Sequence, residues 1–293
     1  MYDFDELYEA ENPAQAVELL CLYPQAKIIA GGSDVLIEIR EGKLSGCTLV
    51  SIQKIDELRG VSLTKDGTIR VGALTSFSHI AHDPIIQRHI PVLAEAVETI
   101  GGPQLRNIGT IGGNVCNGVT SADSASTLLA FDAVMEYFGP NGARLVPIAE
   151  HYISAGKTAL KHDEILQAIL IPRESYANCY GHYIKYAMRN ALDIATLGCS
   201  ANVRLSKDKK TIERLRLAYG VAGPVPLRAS GAEQTAVGKP ATAETAAAAA
   251  KAVLSGINPR TSWRASREFR LHLAEELAKR AITESLKLAG VSL

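Results

Sequence analysis

R-N-I-G-T-I-G-G-N-V-C-N-G-V-T-S-A-D-S-A, Arg106 to Ala125, is the stretch on which the reading of the whole chain turns. It places Gly109, Thr110, Gly112, Gly113 and Asn114 within six consecutive positions. Residues 103–121 are rich in Gly, Asn and Thr, and the composition predicts a loop that is long for a compact domain. Ile108, Ile111 and Val115 interrupt it, and a solvated loop has no need of them. The loop is therefore expected to be ordered and functional. Thr110 can donate a hydroxyl hydrogen bond, the glycines would expose backbone amides, and Asn114 offers both donor and acceptor. Asp123 is placed to accept from a sugar-type hydroxyl. The plainer alternative, an irregular surface loop, is disfavoured by the apolar interleaving.

A second glycine turn stands upstream, in K-I-I-A-G-G-S-D-V-L, Lys27 to Leu36. A short apolar strand running into Gly31-Gly32-Ser33 leaves backbone N–H groups at a tight turn, and such a nest suits an anion. The segment Ala30 to Asp34 contains no Lys or Arg, so an anion there would be held by amides and the Ser33 hydroxyl. Taken alone, Gly-Gly after a strand reads as an ordinary turn. It is neither the dinucleotide fingerprint nor a P-loop with its lysine.

The remaining pattern is mixed. Asn12-Pro13 opens a helix to Leu22. Strands are expected at K-I-I-A and at 48–52, and 60–72 reads as a hairpin turning at Asp66-Gly67. Helical periodicity runs over Ser76 to His82 and Pro91 to Ile100, and again at about 123–131. Strands follow near 133–138, 143–147 and 165–172. Three antiparallel strands are then expected, at Tyr180 to Met188, Ala195 to Leu205 and Ile212 to Val221. Helices at 241–254 and 264–288 end the chain. Runs of strands followed by runs of helices give an α+β class. No internal repeat is evident.

A length of 293 residues fits two domains, each typically of about 100–200 residues. Thirty-one basic and thirty-one acidic side chains leave no net charge, which excludes a strong basic field for nucleic acid or anionic membranes. No apolar run reaches the ~18–20 residues of a membrane span, and the acidic start lacks the apolar core of a secretory signal. A cytoplasmic location is expected. The five cysteines, Cys21, Cys47, Cys116, Cys179 and Cys199, form no C-x-x-C pair, so neither a disulfide framework nor a zinc or iron–sulfur site is expected. His79, His82 and His89 lie close together, but no ligand set is completed around them, and they read as a solvated helix face.

The two glycine segments carry a resemblance. A-G-G-S-D-V-L resembles the A-G-G-T-D-L-L loop of the FAD-binding medium subunits of molybdenum hydroxylases. R-N-I-G-T-I-G-G-N, followed by Asp123 and Leu128-Leu129, is similar to that family's second flavin loop. R-A-S-R-E-F-R at 264–270, leading into K-R-A, looks like its C-terminal helix signature. The matches span most of the chain in family order. The middle one is specific, and the first alone would be weak. Among members, the overall look is nearest to the subunit of bacterial xanthine dehydrogenases.

The resemblance implies a two-lobed FAD fold of the vanillyl-alcohol-oxidase type over residues 1–175, with lobes at about 1–55 and 56–175. A small α+β domain with a three-stranded antiparallel sheet would fill 176–293. It implies that Ile28, Ile29, Ala30, Gly31, Gly32, Ser33, Asp34 and Val35 wrap the FAD pyrophosphate, with Lys27 beside them also at the cofactor. Thr110, Ile111, Gly112, Gly113 and Asn114 would form the second FAD loop, with Asp123 on the ribityl and phosphate side. Ile100 and Leu166 would pack at the isoalloxazine ring. Lys185 matches a family position near the flavin; the alternative, a solvated strand residue, weighs equally. Ser33 replaces the usual Thr but keeps the hydroxyl. Cys116 stands where an aliphatic residue is common and reads as neutral packing. Val119-Thr120-Ser121 lacks a proline often found before the Asp.

The implied function is electron transfer. Molybdopterin would sit on a large partner subunit and [2Fe–2S] clusters on a small one. Electrons would reach FAD here and leave as a hydride to NAD. Alternatives within the family are carbon monoxide, aldehyde or N-heterocycle dehydrogenases. Outside that function, the chain could be a non-catalytic flavin-fold scaffold or a free-standing flavin oxidase, which would need its own catalytic base.

Overall fold

The structure, a computed structural model, describes residues 2–293. It begins with β1 (Phe4–Glu9), α1 (Pro13–Leu22), β2 (Lys27–Ile29), α2 (Val35–Arg40) and β3 (Cys47–Ser51). Asn12 caps α1 by accepting from the Gln15 amide, with Pro13 at the first helical position. The strands form a small parallel sheet in the order β1-β3-β2. Its apolar core joins Ala16, Val17 and Leu20 of α1 to Val50 and Ile52.

The next region holds β4 (Val61–Leu63), β5 (Ile69–Gly72) and helices α3 (Phe77–His82), α4 (Pro84–His89), α5 (Pro91–Glu98), α6 (Pro103–Ile108), α7 (Ile111–Cys116) and α8 (Asp123–Ala130). There follow β6 (Val134–Gly139), β7 (Gly142–Pro147), α9 (Ile148–His151), the hairpin β8 (Tyr152–Ser154) and β9 (Lys157–Thr158), and β10 (Ile165–Ile171). Five strands make an antiparallel sheet in the order β4-β5-β10-β6-β7. The largest apolar core lies between this sheet and α3, α5 and α8.

The last region opens with α10 (Arg173–Tyr176), then β11 (Cys179–Tyr186), β12 (Leu197–Leu205), β13 (Ile212–Gly220) and β14 (Leu227–Arg228). Helices α11 (Ser230–Ala236), α12 (Ala243–Ala252) and α13 (Arg267–Leu288) complete it. The sheet has four strands in the order β11-β12-β13-β14. The expected three-stranded sheet is thus corrected: two residues of β14 pair with Ala218 and Tyr219, too short a segment to leave a periodic signal. The α+β class and the division of the N-terminal part into two lobes, one on each of the first two sheets, are the ones expected.

The period-2 pattern of β12 separates two environments. Leu197, Cys199, Ala201 and Val203 enter the C-terminal apolar core with α11, α12 and α13. Thr196, Ser200 and Asn202 are equally buried but form the opposite, polar face, where β12 and β13 pack against α8. The Asn202 amide donates to the carbonyls of Ala130 (3.3 Å) and Ser175 (3.2 Å). The hydroxyls of Ser126, Thr127, Thr196 and Ser200 have no protein partner among the described residues.

One expectation fails locally. Residues 103–121 are not a single loop, since α6 and α7 occupy most of the stretch. Pro103 supplies a preset first turn after Gly102, and Thr110 caps α7 by accepting from the Gly113 amide at 3.1 Å. Glycine content obscured these helices because Gly is a poor helix former in isolation. Here tertiary packing demands it. An ideal Cβ on Gly112 would stand 2.6 Å from the Ala73 carbonyl oxygen, so only glycine lets α7 approach β5.

Candidate functional site

A cleft of about 930 Å³ opens between the N-terminal parallel sheet, α7 and the C-terminal region. That lies in the upper part of the usual range for ligand sites, about 300–1,000 Å³. Its first wall is the turn from β2 into α2. Ala30, Gly31, Gly32, Ser33, Asp34 and Val35 all line it. Among the described residues, none accepts a hydrogen bond from the amides of Gly31, Gly32, Ser33, Asp34 or Val35. Among the described residues the Ser33 hydroxyl has no hydrogen-bond partner either. The turn is held from behind: the Gln53 amide donates to the Ala30 carbonyl, and Asn117 donates to Asp34 at 3.0 Å. Gly31 is pressed against α6, with an ideal Cβ 2.1 Å from the Ile108 carbonyl oxygen, so a side chain there would force the two segments apart.

The second wall is α7. Here the expectation of exposed glycine amides is overturned. Ile111 donates to Thr75 (3.0 Å), Gly112 to Ala73 (2.9 Å), Gly113 to the Thr110 hydroxyl, and Asn114 to the Thr110 carbonyl (3.0 Å). Tying α7 to the strand-to-helix connection at 73–76 consumes these donors. What α7 presents to the cleft is the surface of Thr110, Gly112, Gly113 and Asn114. The Asn114 side-chain oxygen accepts from Ser124 at 2.7 Å, which links α7 to the first turn of α8.

Asp123 stands at the first position of α8 and lines the cleft although its side chain is only 8% exposed. Two donors from β11 reach it: the Tyr183 hydroxyl at 2.8 Å and the Lys185 ammonium at 2.8 Å. Lys185 also donates to the Thr99 carbonyl at 3.0 Å. Burial pushes the Asp123 carboxyl above its ordinary range, while Lys185 and Tyr183 pull it back. Lys185, 9% exposed, is therefore not the solvated strand residue that was one of its two readings, and it does not line the cleft itself.

Ile100 and Leu166 line the far end. Leu166 sits where the pairing of β10 with β6 shifts register, an irregularity that re-aims a strand side chain. Cys116 also faces the cleft, and burial pushes its thiol up to about 12, so it is a neutral packing group at any working pH. Behind α7, the Tyr137 hydroxyl donates to His151 Nδ1, and His151 Nε2–H donates to the Val115 carbonyl at 3.0 Å. Burial lowers the pKa of His151, which keeps the ring neutral.

Of the eighteen residues singled out in the sequence, fifteen line this one cleft. Ile29 and Ile111 do not; Ile29 is half-buried in β2, and Ile111 is fully buried in the core. Lys185 stands one residue behind, through Asp123. Sequence reasoning missed the cleft's C-terminal rim, formed by Arg189, Leu192, Ile194, Trp263 and Arg264. The Arg264 guanidinium lies 4.1 Å over the Trp263 ring, and that indole is 75% exposed. R-A-S-R carried the signal, but spacing alone gave it no place in space. The three neighbouring histidines are engaged separately. His79 lies 3.4 Å from Asp83, His82 contacts the Ser78 carbonyl, and His89 stacks edge-on against Tyr176.

A family profile described as the FAD binding domain in molybdopterin dehydrogenase matches residues 2–174. A second, described as the CO dehydrogenase flavoprotein C-terminal domain, matches residues 182–285. The chain is 46% identical over 290 residues to a xanthine dehydrogenase FAD-binding subunit of Escherichia coli O157:H7, covering 99% of both. It is 32% identical over 278 residues to the carbon monoxide dehydrogenase medium chain of Hydrogenophaga pseudoflava, covering 94% of this chain and 95% of that one. Among solved structures, carbon monoxide dehydrogenase from Hydrogenophaga pseudoflava superposes with a TM-score of 0.92 at 30% identity, covering 99% of both chains. Quinoline 2-oxidoreductase from Pseudomonas putida 86 superposes with a TM-score of 0.91 at 25% identity, covering 98% of both.

Proposed function

The chain belongs to the molybdopterin dehydrogenase FAD-binding family, and from that premise we propose that it is the FAD-carrying electron-transfer subunit of a xanthine dehydrogenase. The observation that carries the flavin assignment is the row of unpartnered amides from Gly31 to Val35 on the cleft wall. A pyrophosphate needs several N–H donors within reach of one backbone turn. This turn supplies them, together with the free Ser33 hydroxyl, without a lysine or arginine of its own.

The other residues fit the same cofactor. Thr110 and Asn114 offer side-chain polar groups, and Asp123 keeps lone pairs free to accept a ribityl hydroxyl. Ile100 and Leu166 give the ring an apolar wall and exclude water from it. Cys116, held as a thiol, packs beside it without reacting. Lys27, Ile28, Ile29 and Ile111 support the two loops from within their elements. Bound FAD would take electrons from [2Fe–2S] clusters of a small partner subunit and deliver a hydride to NAD. Molybdopterin and substrate hydroxylation would belong to a large partner subunit.

Identity of 46% across the full length of a xanthine dehydrogenase subunit supports xanthine over carbon monoxide, aldehydes or N-heterocycles, whose subunits stand further away. The neutral net charge and the lack of a helix long and apolar enough to cross a membrane, among the described residues, agree with a cytoplasmic complex. We place the division between the flavin domain and the C-terminal domain at residues 175/176, within α10, the short helix that joins the five-stranded sheet to β11.

The test is direct. Purified chain incubated with FAD should acquire flavin absorbance, and it should oxidise NADH with an artificial acceptor. A chain that takes up no flavin defeats the cofactor assignment. Co-purification with a molybdopterin chain and an iron–sulfur chain checks the complex, and xanthine-dependent NADH formation by that complex checks the substrate.

A further inference from the structure

β1 is the outer strand of the N-terminal sheet, whose order is β1-β3-β2. Among the described residues no strand pairs with its free edge, and every side chain of Phe4–Glu9 is exposed except the half-buried Tyr8. The inner edge is firmly held. Gly46 donates to the Asp3 carbonyl at 3.0 Å and Ala10 donates to the Ser51 carbonyl at 2.9 Å. The Tyr8 hydroxyl donates to Tyr23 at 2.7 Å, with the two rings stacked. Because the Ala10 amide faces β3 and the backbone groups of a strand alternate, the amides and carbonyls of Leu7 and Glu9 face outward.

That free edge is acidic. Asp3, Asp5, Glu6, Glu9 and Glu11 lie on or beside β1, and no Lys or Arg precedes Lys27. Of the five acids, only Glu9 meets a base among the described residues, Lys54 at 2.8 Å. The zero net charge of the chain masks this bias. Residues 1–58 hold eleven acidic against four basic side chains, and residues 173–293 hold ten against nineteen. Charges on an edge strand keep copies of a protein from pairing edge to edge. Such protection needs no apolar surface, yet Phe4 is 37% and Leu7 48% exposed on the same strand.

From this juxtaposition we propose that the free edge of β1 docks a basic, extended segment of a partner subunit, which joins the sheet as a further strand. The inference rests on the chain working within the complex proposed above. The incoming strand takes the outward amides and carbonyls of Leu7 and Glu9 into a ladder, covers Phe4 and Leu7, and sets Lys or Arg opposite Asp5, Glu6 and Glu9. The β1 edge of a second copy does not fit, because it would set carboxylates against carboxylates. β1 lies on the side of the sheet away from β2, whose turn forms the cleft wall, so an occupied edge leaves the flavin cleft open.

The experiment compares the chain alone with the chain in its purified complex. Hydrogen exchange of the peptide that contains β1 should be about tenfold slower or more in the complex, since the Leu7 and Glu9 amides gain partners. Leu7→Pro removes one outward N–H, at a position where an edge strand tolerates proline. It should weaken binding of the partner subunit about tenfold, while the urea midpoint and FAD uptake of the isolated chain stay as in wild type. Asp5→Lys combined with Glu6→Lys changes only the surface. It should also weaken binding and make what remains less sensitive to salt. Should Leu7→Pro lower stability, this charge reversal decides in its place. Unchanged exchange in β1, or normal assembly of both variants, overturns the proposal, and cross-linking of β1 to a second copy overturns the choice of occupant. If no partner chain co-purifies, the complex itself is refuted, and a labelled octapeptide of alternating Lys and Val then decides the edge. It should bind the wild-type chain and not Leu7→Pro, while an alternating Glu-Val octapeptide should bind neither. A Lys-Val peptide that binds both chains equally, or neither of them, removes the docking site.

Discussion

Two glycine-rich segments line the same cleft and use glycine to opposite ends. In Gly31 to Val35 the amides have no protein partner among the described residues, and the turn is shaped by contacts behind it. In Thr110 to Asn114 the amides are consumed, since Ile111, Gly112, Gly113 and Asn114 all donate within the protein. The first segment offers donors. The second is a structural joint that lets α7 press on the carbonyl of Ala73. Similar composition therefore says little about which backbone groups remain free. That follows from where the neighbouring carbonyls lie, and tertiary contacts place them.

The strongest way to break this contrast is Gly112→Val. A side chain there must displace a backbone carbonyl in the core, so a destabilisation of about 3 kcal/mol or more is expected, read as a lower urea midpoint of the flavin-free chain. A variant that keeps wild-type stability would show that α7 is not a joint. Acid is the next lever on the same segment. His151 supports α7 through the Val115 carbonyl, and burial lowers its pKa, so the unfolded chain takes up the proton first. Stability should decline as pH falls below about 6.5, the ordinary histidine value, and be fully present above it. Substitution of His151 by Gln should flatten that part of the pH profile.

A paired measurement sharpens the comparison further. Thr110→Ala removes the cap of α7 and should cost about 1 kcal/mol of stability. Ser33→Ala removes a hydroxyl with no protein partner among the described residues, so stability should stay within about 0.5 kcal/mol. Its effect should appear as a several-fold loss of FAD affinity, of the size of one neutral hydrogen bond. If the two variants traded these phenotypes, the assignment of donor and joint would be reversed. The smallest effect is expected for Asn117→Ala, which cuts the exposed tie to Asp34 and should change stability by no more than about 0.5 kcal/mol.

Much of this site could be read from the sequence because its parts are local. Asn12-Pro13, the Asp66-Gly67 hairpin and the alternation along β12 each fix their own element, and the structure places them there. The clustering of Lys27 to Val35 with Thr110 to Asn114 was legible through the resemblance, since nothing in either segment alone encodes its distance from the other. Two things were hidden. Helices α6 and α7 are short and glycine-bearing, so their periodicity never accumulates enough turns to register. The rim at Trp263 and Arg264 depends on how the approach to α13 folds back over the cleft, a long-range placement invisible to spacing. Lys185 shows the limit well. Its strand was predicted, but only the contact with Asp123 separates a buried partner from a solvated one.

The polar face that β12 turns toward α8 has a consequence in time. All buried members of the largest apolar core except Tyr183 and Ala218 precede residue 177, so that core can nearly finish packing before the C-terminal sheet arrives. The C-terminal core closes on its own helices. Between them lie Thr196, Ser200 and Asn202 with Ser126 and Thr127, together with the ties of Asp123 to Tyr183 and Lys185, Glu95 to His182, and Asp132 to Arg216 and Arg228, polar groups that water can satisfy until docking. Such a seam makes late docking inexpensive, and until it docks the cleft stands open on the side of Tyr183 and Lys185. We therefore expect FAD to enter first and the C-terminal part to close afterwards. Trp263, the chain's single tryptophan, sits on the closing side and provides the clock. On refolding with FAD, flavin fluorescence should change before the Trp263 signal reaches its native value; the reverse order would place docking ahead of cofactor entry.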